Sequence, residues 1–276
     1  MKMLRVCSPA KLNLFLHVTG RRENGYHDLQ TVFQLLDWGD EMSFEVKERG
    51  GVELSGDTGD IPHADNLILQ AAEALKRPDK GAHIHVKKNI PRGGGLGGGS
   101  SNAATTLIAL NQLWDLGLDH NQLMAIGAPL GADVSVFLLG QSAWAEGVGD
   151  VLSPLALPKR WYLIAQPQCR VSTAEIFSQP ELTRHTAPIT VQTFFSGAAG
   201  NDLQGIAMAR YPEIRQALDW LMSEADNALM TGSGACVFAA FDTEAEAHRV
   251  AAKAPSDLPV VVAEGVNHLP EMLEVQ

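Results

Sequence analysis

The segment Gly93-Gly94-Gly95-Leu96-Gly97-Gly98-Gly99 places six glycines in seven positions, and Ser100-Ser101-Asn102 follow directly. Glycine takes positive φ at little cost, so successive N–H groups of such a run can turn toward one anion. Beyond it, Ala103, Leu107, Leu110 and Trp114 recur at the spacing of one helical face. The loop therefore opens onto a helix N-terminus, where unpaired N–H groups and a partial positive charge favour phosphate. Ser100 and Ser101 can cap that helix, donate to phosphate oxygens or ligate magnesium. The pattern is neither the GxxxxGK[ST] loop nor the dinucleotide fingerprint, because no lysine follows the glycines and no acidic residue follows a second strand at the right distance. The alternative is a flexible linker, but a linker needs no alternating strand before it (Ala82 to Lys88) and no capped helix after it.

Transfer of a phosphoryl group to an alcohol asks for stabilised phosphate charge, an aligned hydroxyl and a group to take its proton. Lys11, within Ser8-Pro9-Ala10-Lys11-Leu12-Asn13-Leu14, and Asp133, between Gly131-Ala132 and the apolar run Val134 to Leu139, are candidates for the cation and the base. Each has a plainer reading. A lysine in a strand usually faces water, and an aspartate before an apolar run can be a helix cap or half of a structural ion pair. Nothing in the spacing brings the two together.

Elements must position these groups. Residues 4–18, Thr31 to Leu36 and Met42 to Val46 read as strands, and residues 49–60 as a turn. Asn66 to Lys76 reads as a helix capped by Asp65 or Asn66. The helix after the glycines is expected to end near Gly117, and another spans 120–127. Pro154 to Arg160 reads as a linker. Beyond it, Trp161 to Ala165 and Cys236 to Phe241 read as strands, and Glu213 to Ser223, Thr243 to Ala252 and Val266 to Leu273 as helices, an α+β order.

Composition narrows the function classes. At 45% hydrophobic and 19% charged residues the chain is an ordinary globular protein. It has no apolar run near the ~20 residues of a membrane span, and its start reads as neither a signal nor a transit peptide, so a cytoplasmic location and no membrane partner are expected. A net charge of −11 without a basic stripe argues against nucleic acid. Cys7, Cys169 and Cys236 are too few and too scattered for a disulfide framework or a zinc site. His83 and His85 share one strand face but lack a third ligand. Glu146, Glu175 and Asp202 are each conceivable magnesium ligands, and nothing selects among them, so the metal ligands stay unknown.

Together, Pro9 to Leu14, the loop Gly93 to Ser101 and Thr231-Gly232-Ser233-Gly234-Ala235-Cys236-Val237-Phe238 resemble the three motifs of the galactokinase, homoserine kinase, mevalonate kinase and phosphomevalonate kinase (GHMP) superfamily. Gly25-Tyr26-His27-Asp28-Leu29-Gln30-Thr31-Val32-Phe33-Gln34, Asp65-Asn66-Leu67-Ile68, Leu130 to Val134 and Ala145 to Gly149 resemble the branch whose substrate is a methylerythritol carrying a cytidine diphosphate group, in the non-mevalonate isoprenoid pathway. The likeness runs from about residue 5 to about residue 241.

The resemblance implies a two-lobed α/β (α+β) fold. Residues 1–155 would form an N-terminal lobe with the phosphate loop, and residues 156–276 a ferredoxin-like α+β lobe. It implies ATP with Mg2+ and phosphorylation of the substrate's 2-hydroxyl. Asp133 would take the hydroxyl proton, and Lys11 would hold Asp133 and the γ-phosphate. Pro91, Arg92, Gly93, Gly94, Gly95, Leu96, Gly97, Gly98, Gly99, Ser100 and Ser101 would wrap the phosphates, with Asn66 near the adenine. Tyr26 and His27 would hold the cytosine, Phe177 would stack on it, and Asn13 and Phe33 would line the substrate pocket. An aromatic face and an imidazole edge suit a cytosine, although without the family Tyr26-His27 reads as a surface turn. Thr231 to Cys236 can hold a substrate phosphate on glycine N–H groups or simply form a tight turn. Arg92 stands where relatives often carry an apolar residue, and Ser135 where many carry proline. A different acceptor alcohol within the superfamily, or a non-catalytic nucleotide-binding protein, are the rivals. The quaternary state is expected to be monomer or homodimer.

Overall fold

The computed structural model describes residues 3–47, 50–59, 61–197, 199–269 and 274–275. The chain opens with two long antiparallel strands, β1 (Met3–Arg21) and β2 (His27–Lys47). There follow β3 (Val52–Gly56), α1 (Leu67–Ala74), β4 (Gly81–Lys87), α2 (Gly98–Leu113), α3 (His120–Gly127), α4 (Val134–Leu139), β5 (Ala143–Glu146) and β6 (Val151–Pro154). After an irregular stretch come β7 (Trp161–Ala165), α5 (Thr173–Ser178), α6 (Val191–Phe195), α7 (Gln204–Arg210), α8 (Pro212–Glu224), β8 (Leu229–Met230), β9 (Val237–Phe241), α9 (Glu244–Ala251), β10 (Val260–Val266) and β11 (Glu274–Val275).

This is a mixed α/β fold in two layers. In the first half, β2 pairs with β1, β4 and β5, all antiparallel, while β3 joins β4 in parallel. Helices α1, α2 and α4 cover one face, and Ile68, Ala103, Leu107, Leu110, Val134 and Phe137 meet Leu35, Phe44 and Ile84 of the strands. In the second half the strand order is β10-β7-β9-β8, every pairing antiparallel, with helices between β7 and β8 and between β9 and β10. That is the βαββαβ order of a ferredoxin-like unit. The halves are joined edge to edge, because Gly265 and Val266 of β10 pair with Leu36 and Leu35 of β2.

Strand β1 runs through every core. Leu4 sits in the first, Ala10 and Leu12 in the junction, Leu16 and Val18 in the second, and Phe15 in a smaller cluster with Trp144. Each buried leucine contributes about 1.5–3 kcal/mol relative to exposure, so this one segment holds the two halves in a fixed relation. Its pairing with β2 slips between Pro9 and Lys11, and again between Asn13 and Leu16. Proline brings no N–H to a ladder, and a bulge of this kind re-aims the residues beyond it. Here the Lys11 N–H leaves β2 and donates to the Leu96 carbonyl at 3.0 Å.

Several expectations need correction. Residues 49–60 are not all turn, since Val52–Gly56 form β3. Helix α2 stops at Leu113 rather than Gly117. Asp115 takes φ of 54°, a left-handed conformation no helix tolerates, and Gly117 lies in the loop beyond. Val266 ends a strand, residues 267–269 are not helical, and the rest of the helix expected to Leu273 lies outside the described residues. Among the described residues, no helix is long and apolar enough to cross a membrane.

Candidate functional site

A cleft of about 960 Å³ runs between the two halves. Among the residues singled out in the sequence, Lys11, Asn13, Tyr26, His27, Phe33, Asn66, Pro91 through Ser100, Asp133 and Phe177 all line it. Ser101 does not.

The glycine-loop end is made of backbone. Gly93, Gly95 and Gly97 have φ of 69°, 74° and 72°, the region that favours glycine. Close approach also requires the latter two. A Cβ on Gly95 would stand 2.2 Å from the Thr231 carbonyl oxygen, and one on Gly97 would stand 2.9 Å from the Phe137 ring. The third motif braces the loop. Ala235 and Cys236 N–H donate to the carbonyls of Gly93 and Gly94 at 2.9 and 3.1 Å. Within that motif Gly234 N–H donates to Thr231 O at 3.0 Å. The turn reading of Thr231 to Cys236 therefore describes where these N–H groups go, although Gly232, Ser233 and Gly234 do face the cleft.

Lys11 is buried, with 3% of its side chain exposed. Its Nζ donates to Asn13 Oδ1 at 2.5 Å and to Gly95 O at 2.9 Å, and lies 3.4 Å from Asp133 Oδ2. The Phe33 ring lies beneath it at 5.4 Å from centroid to Nζ. The solvated-face reading of Lys11 is thus excluded by its burial. Asp133 precedes α4 but makes no side-chain cap. Its carboxylate is 35% exposed, and the cleft provides that exposure. Asn13 is fixed as well, donating from Nδ2 to Thr31 Oγ1 at 3.0 Å and from its backbone to Thr231 Oγ1 at 2.9 Å.

Ser101 departs from expectation. Helix α2 starts after Gly97 with no side-chain cap, and Ser101 Oγ is fully buried, 2.8 Å from Ser8 Oγ. It belongs to a polar cluster that motif reading missed. Asp40, fully buried, pairs with Lys88 and accepts N–H bonds from Asn89 and Ile90 at 2.8 and 2.9 Å. Asn102 Nδ2 bridges Asp40 and Ser8, at 2.9 Å from each. These bonds fix the strand end from which the phosphate loop departs. Asn66 caps α1, accepting from Ile68 N–H at 3.0 Å, with its side chain at the cleft wall. Arg92 Nη2 donates to Asp57 O at 2.9 Å, which ties the loop after β3 to the phosphate loop.

The opposite end is made of side chains. Tyr26 sits in a tight turn closed by Arg22 N–H to Tyr26 O at 2.7 Å, and is 64% exposed while facing the cleft. The surface-turn and site readings of this residue are therefore compatible. His27 is buried, and its ring lies 5.0 Å from the Phe177 ring at 31°. Burial first, then the guanidinium groups of Arg184 and Arg21, hold the His27 imidazole below its ordinary pKa. Arg184, which no motif signals, donates from Nε to His27 Nε2 at 3.1 Å.

None of the three carboxylates considered for magnesium lines the cleft. Glu175 pairs with Arg210 and Tyr211, Asp202 accepts from Val18 N–H, and Glu146 accepts from Gln30 and Trp144. No cluster of three or more His, Cys, Asp or Glu suited to a metal occurs among the described residues. Instead Ser100 Oγ lies 3.8 Å from where a Cβ on Gly131 would stand, two residues from Asp133. A hydroxyl and a carboxylate at the loop's edge suit an ion that shares its shell with phosphate oxygens and water. His83 and His85 are both engaged by Ser55 Oγ, at 2.8 and 3.1 Å. Burial pushes the Cys169 thiol up to about 11 and Cys236 higher still, so neither is an activated nucleophile.

Comparison with known proteins places this geometry. Residues 66–141 match the GHMP kinases N-terminal domain and residues 193–260 the GHMP kinases C-terminal domain. The chain is 51% identical over 267 residues to 4-diphosphocytidyl-2-C-methyl-D-erythritol kinase of Pseudomonas paraeruginosa, covering 96% of this chain and 94% of that one. It is 50% identical over 268 residues to the enzyme of the same name from Nitrosospira multiformis, covering 95% and 91%. A solved 4-(cytidine 5'-diphospho)-2C-methyl-D-erythritol kinase superposes with a TM-score of 0.82 at 32% identity, over 95% of this chain and all of that one. A homoserine kinase from Cytophaga hutchinsonii shares the fold at a TM-score of 0.65 and 17% identity, covering 96% and 95%.

Proposed function

Because the chain belongs to the GHMP kinases, and among them to the 4-diphosphocytidyl-2-C-methyl-D-erythritol kinases, it is an ATP-dependent small-molecule kinase, and we propose a residue-level account of how it phosphorylates the 2-hydroxyl of that substrate, in the non-mevalonate route to isoprenoid precursors. The observation that carries the reading is the Lys11–Asp133 pair, 3.4 Å apart, where the glycine loop meets the wall below Tyr26 and His27.

Asp133 takes the proton of the attacking hydroxyl, with its carboxylate open to the cleft on one side and held by Lys11 on the other. Lys11 also places its positive charge beside the transferring phosphoryl group, with two of its N–H donors held by Asn13 and Gly95 and the third shared between Asp133 and phosphate. Pro91 through Ser100 cradle the triphosphate with backbone N–H groups and the start of α2. Ser101 supports this only through Ser8. Asn66 borders the adenine. His27 reads the cytosine edge, Tyr26 and Phe177 offer its stacking faces, and Asn13 and Phe33 border the sugar-alcohol. Magnesium, bound with the nucleotide near Ser100 and Asp133, would neutralise phosphate charge.

The lobes divide near residues 155–156. The reaction takes place in the cytoplasm, without nucleic-acid or membrane partners, by a monomer or homodimer. The test is ADP release with magnesium-ATP and, in parallel, the cytidine substrate, mevalonate and homoserine. Turnover of the cytidine substrate alone, abolished by Asp133→Asn, is the expected result. Turnover of another alcohol would overturn the substrate.

A further inference from the structure

Arg184 lies in the irregular segment between α5 and α6, half-buried, and does not line the cleft. Yet two of the residues its guanidinium donates to, Phe177 and His27, do line it. Nη2 donates to Phe177 O at 3.0 Å and Gln179 O at 2.6 Å, and Nη1 to Leu182 O at 3.0 Å. The carbonyls of 177 and 179 belong to the C-terminal end of α5, where the helix leaves acceptors without internal partners and favours a cation. Arg184 thereby fixes the turn from which Phe177 projects. Its remaining arm, Nε–H, donates to His27 Nε2 at 3.1 Å.

That last bond settles a chemical ambiguity. Arginine has donors only, so His27 Nε2 must accept, and in the neutral ring the proton then resides on Nδ1. Nδ1 has no hydrogen-bond partner among the described residues, and the ring borders the cleft. The charged groups facing His27 are Arg184 from the 179–190 segment and Arg21 from β1, while the neighbouring Asp28 is paired with Arg22. Both guanidinium groups oppose a charged imidazole.

Resting on the base-reading role proposed for His27, we infer that Arg184 is the positioning residue that sets base specificity, by locking His27 as a neutral Nδ1–H donor and holding Phe177 against it. A cytosine presents an unprotonated N3, which such a donor matches. A uracil presents N3–H in the same place, so two donors would face each other. The other tautomer, with Nδ1 unprotonated, would suit uracil instead. Discrimination between the two bases thus resides in a residue that touches neither.

The experiment compares the cytidine substrate with its uridine-diphosphate counterpart in the wild type, Arg184→Gln and His27→Ala. With Arg184→Gln the KM for the cytidine substrate should rise about fivefold, the loss of one ordered hydrogen bond. The cytidine-to-uridine ratio of kcat/KM should narrow by a similar factor, and the KM for ATP should hold. Lowering the pH should bring the variant's cytidine KM back down, because imidazolium carries a proton on both nitrogens; a merely structural defect would not respond in this way. If His27→Ala raises the cytidine KM but Arg184→Gln leaves KM and ratio unchanged, the inference is wrong while the base-reading role stands. If His27→Ala changes nothing, the base-reading role itself fails. Should Arg184→Gln not fold, 15N chemical shifts of His27 in the wild type decide: Nδ1 protonated supports the inference, and Nε2 protonated overturns it.

Discussion

The two ends of the cleft are built in opposite ways. At the glycine-loop end the cleft wall is mostly main chain, held by positive-φ glycines, by backbone bonds from Ala235 and Cys236, and by the buried Asp40–Lys88–Asn102 cluster. At the base end they are side chains on a turn, with Tyr26 largely exposed and His27 and Phe177 braced by one arginine. Backbone cannot be changed without disturbing the fold, whereas side chains can. On the reading proposed above, the handling of phosphate rests on the first kind of structure and the choice of substrate on the second. The fold itself outlasts wide sequence change, since a homoserine kinase only 17% identical keeps it at a TM-score of 0.65.

The sharpest way to test the contrast is Asp133→Asn. It should lower kcat about 10²–10⁴-fold while ATP binding by calorimetry is kept; an unchanged kcat would remove Asp133 from the chemistry. Next is Asp40→Ala, which leaves Lys88 without its buried partner. A loss of about 3 kcal/mol in urea unfolding is expected, and a neutral result would mean the cluster does not anchor the loop. Gly95→Ala should follow. Its φ of 74° and the Thr231 carbonyl both resist a Cβ, and about 1–2 kcal/mol of conformational cost predicts roughly a tenfold rise in the KM for ATP with any acceptor. Smallest should be Tyr26→Ala, which removes one stacking face. Its KM for the cytidine substrate should rise about two- to tenfold with the KM for ATP unmoved. If Tyr26→Ala damaged ATP binding as much as Gly95→Ala, the two ends would not be separable.

The glycine-loop end was the more legible from sequence, because glycines at fixed spacing before a helical stripe report backbone conformation directly. Lys11 and Asp133 could be named but not joined, since the bulge after Pro9 that aims Lys11 is a pairing detail with no composition signal. Ser101 misled because a serine beside a phosphate loop looks like a ligand, while its burial depends on Ser8, 93 residues away. Arg184 left no trace, for an isolated arginine in an irregular segment reads as surface. β10 was missed outright: Val260-Val261-Val262 is a strand-like run, but it is short, and the helix expected next to it was placed over its end.

The register that ties β2 to β10 also has a consequence during synthesis. Gln34 Nε2 donates to Val266 O across 232 residues, and Asn13 N–H reaches Thr231 across 218. At translation rates of ~5–20 residues per second, the first strands wait roughly 10–50 s for these partners. The opening hairpin must spend that time without its neighbouring edge, a state in which unpaired strands invite aggregation. A nascent chain shortened before β10 should therefore bind no nucleotide and should engage chaperones, whatever the quality of its glycine loop.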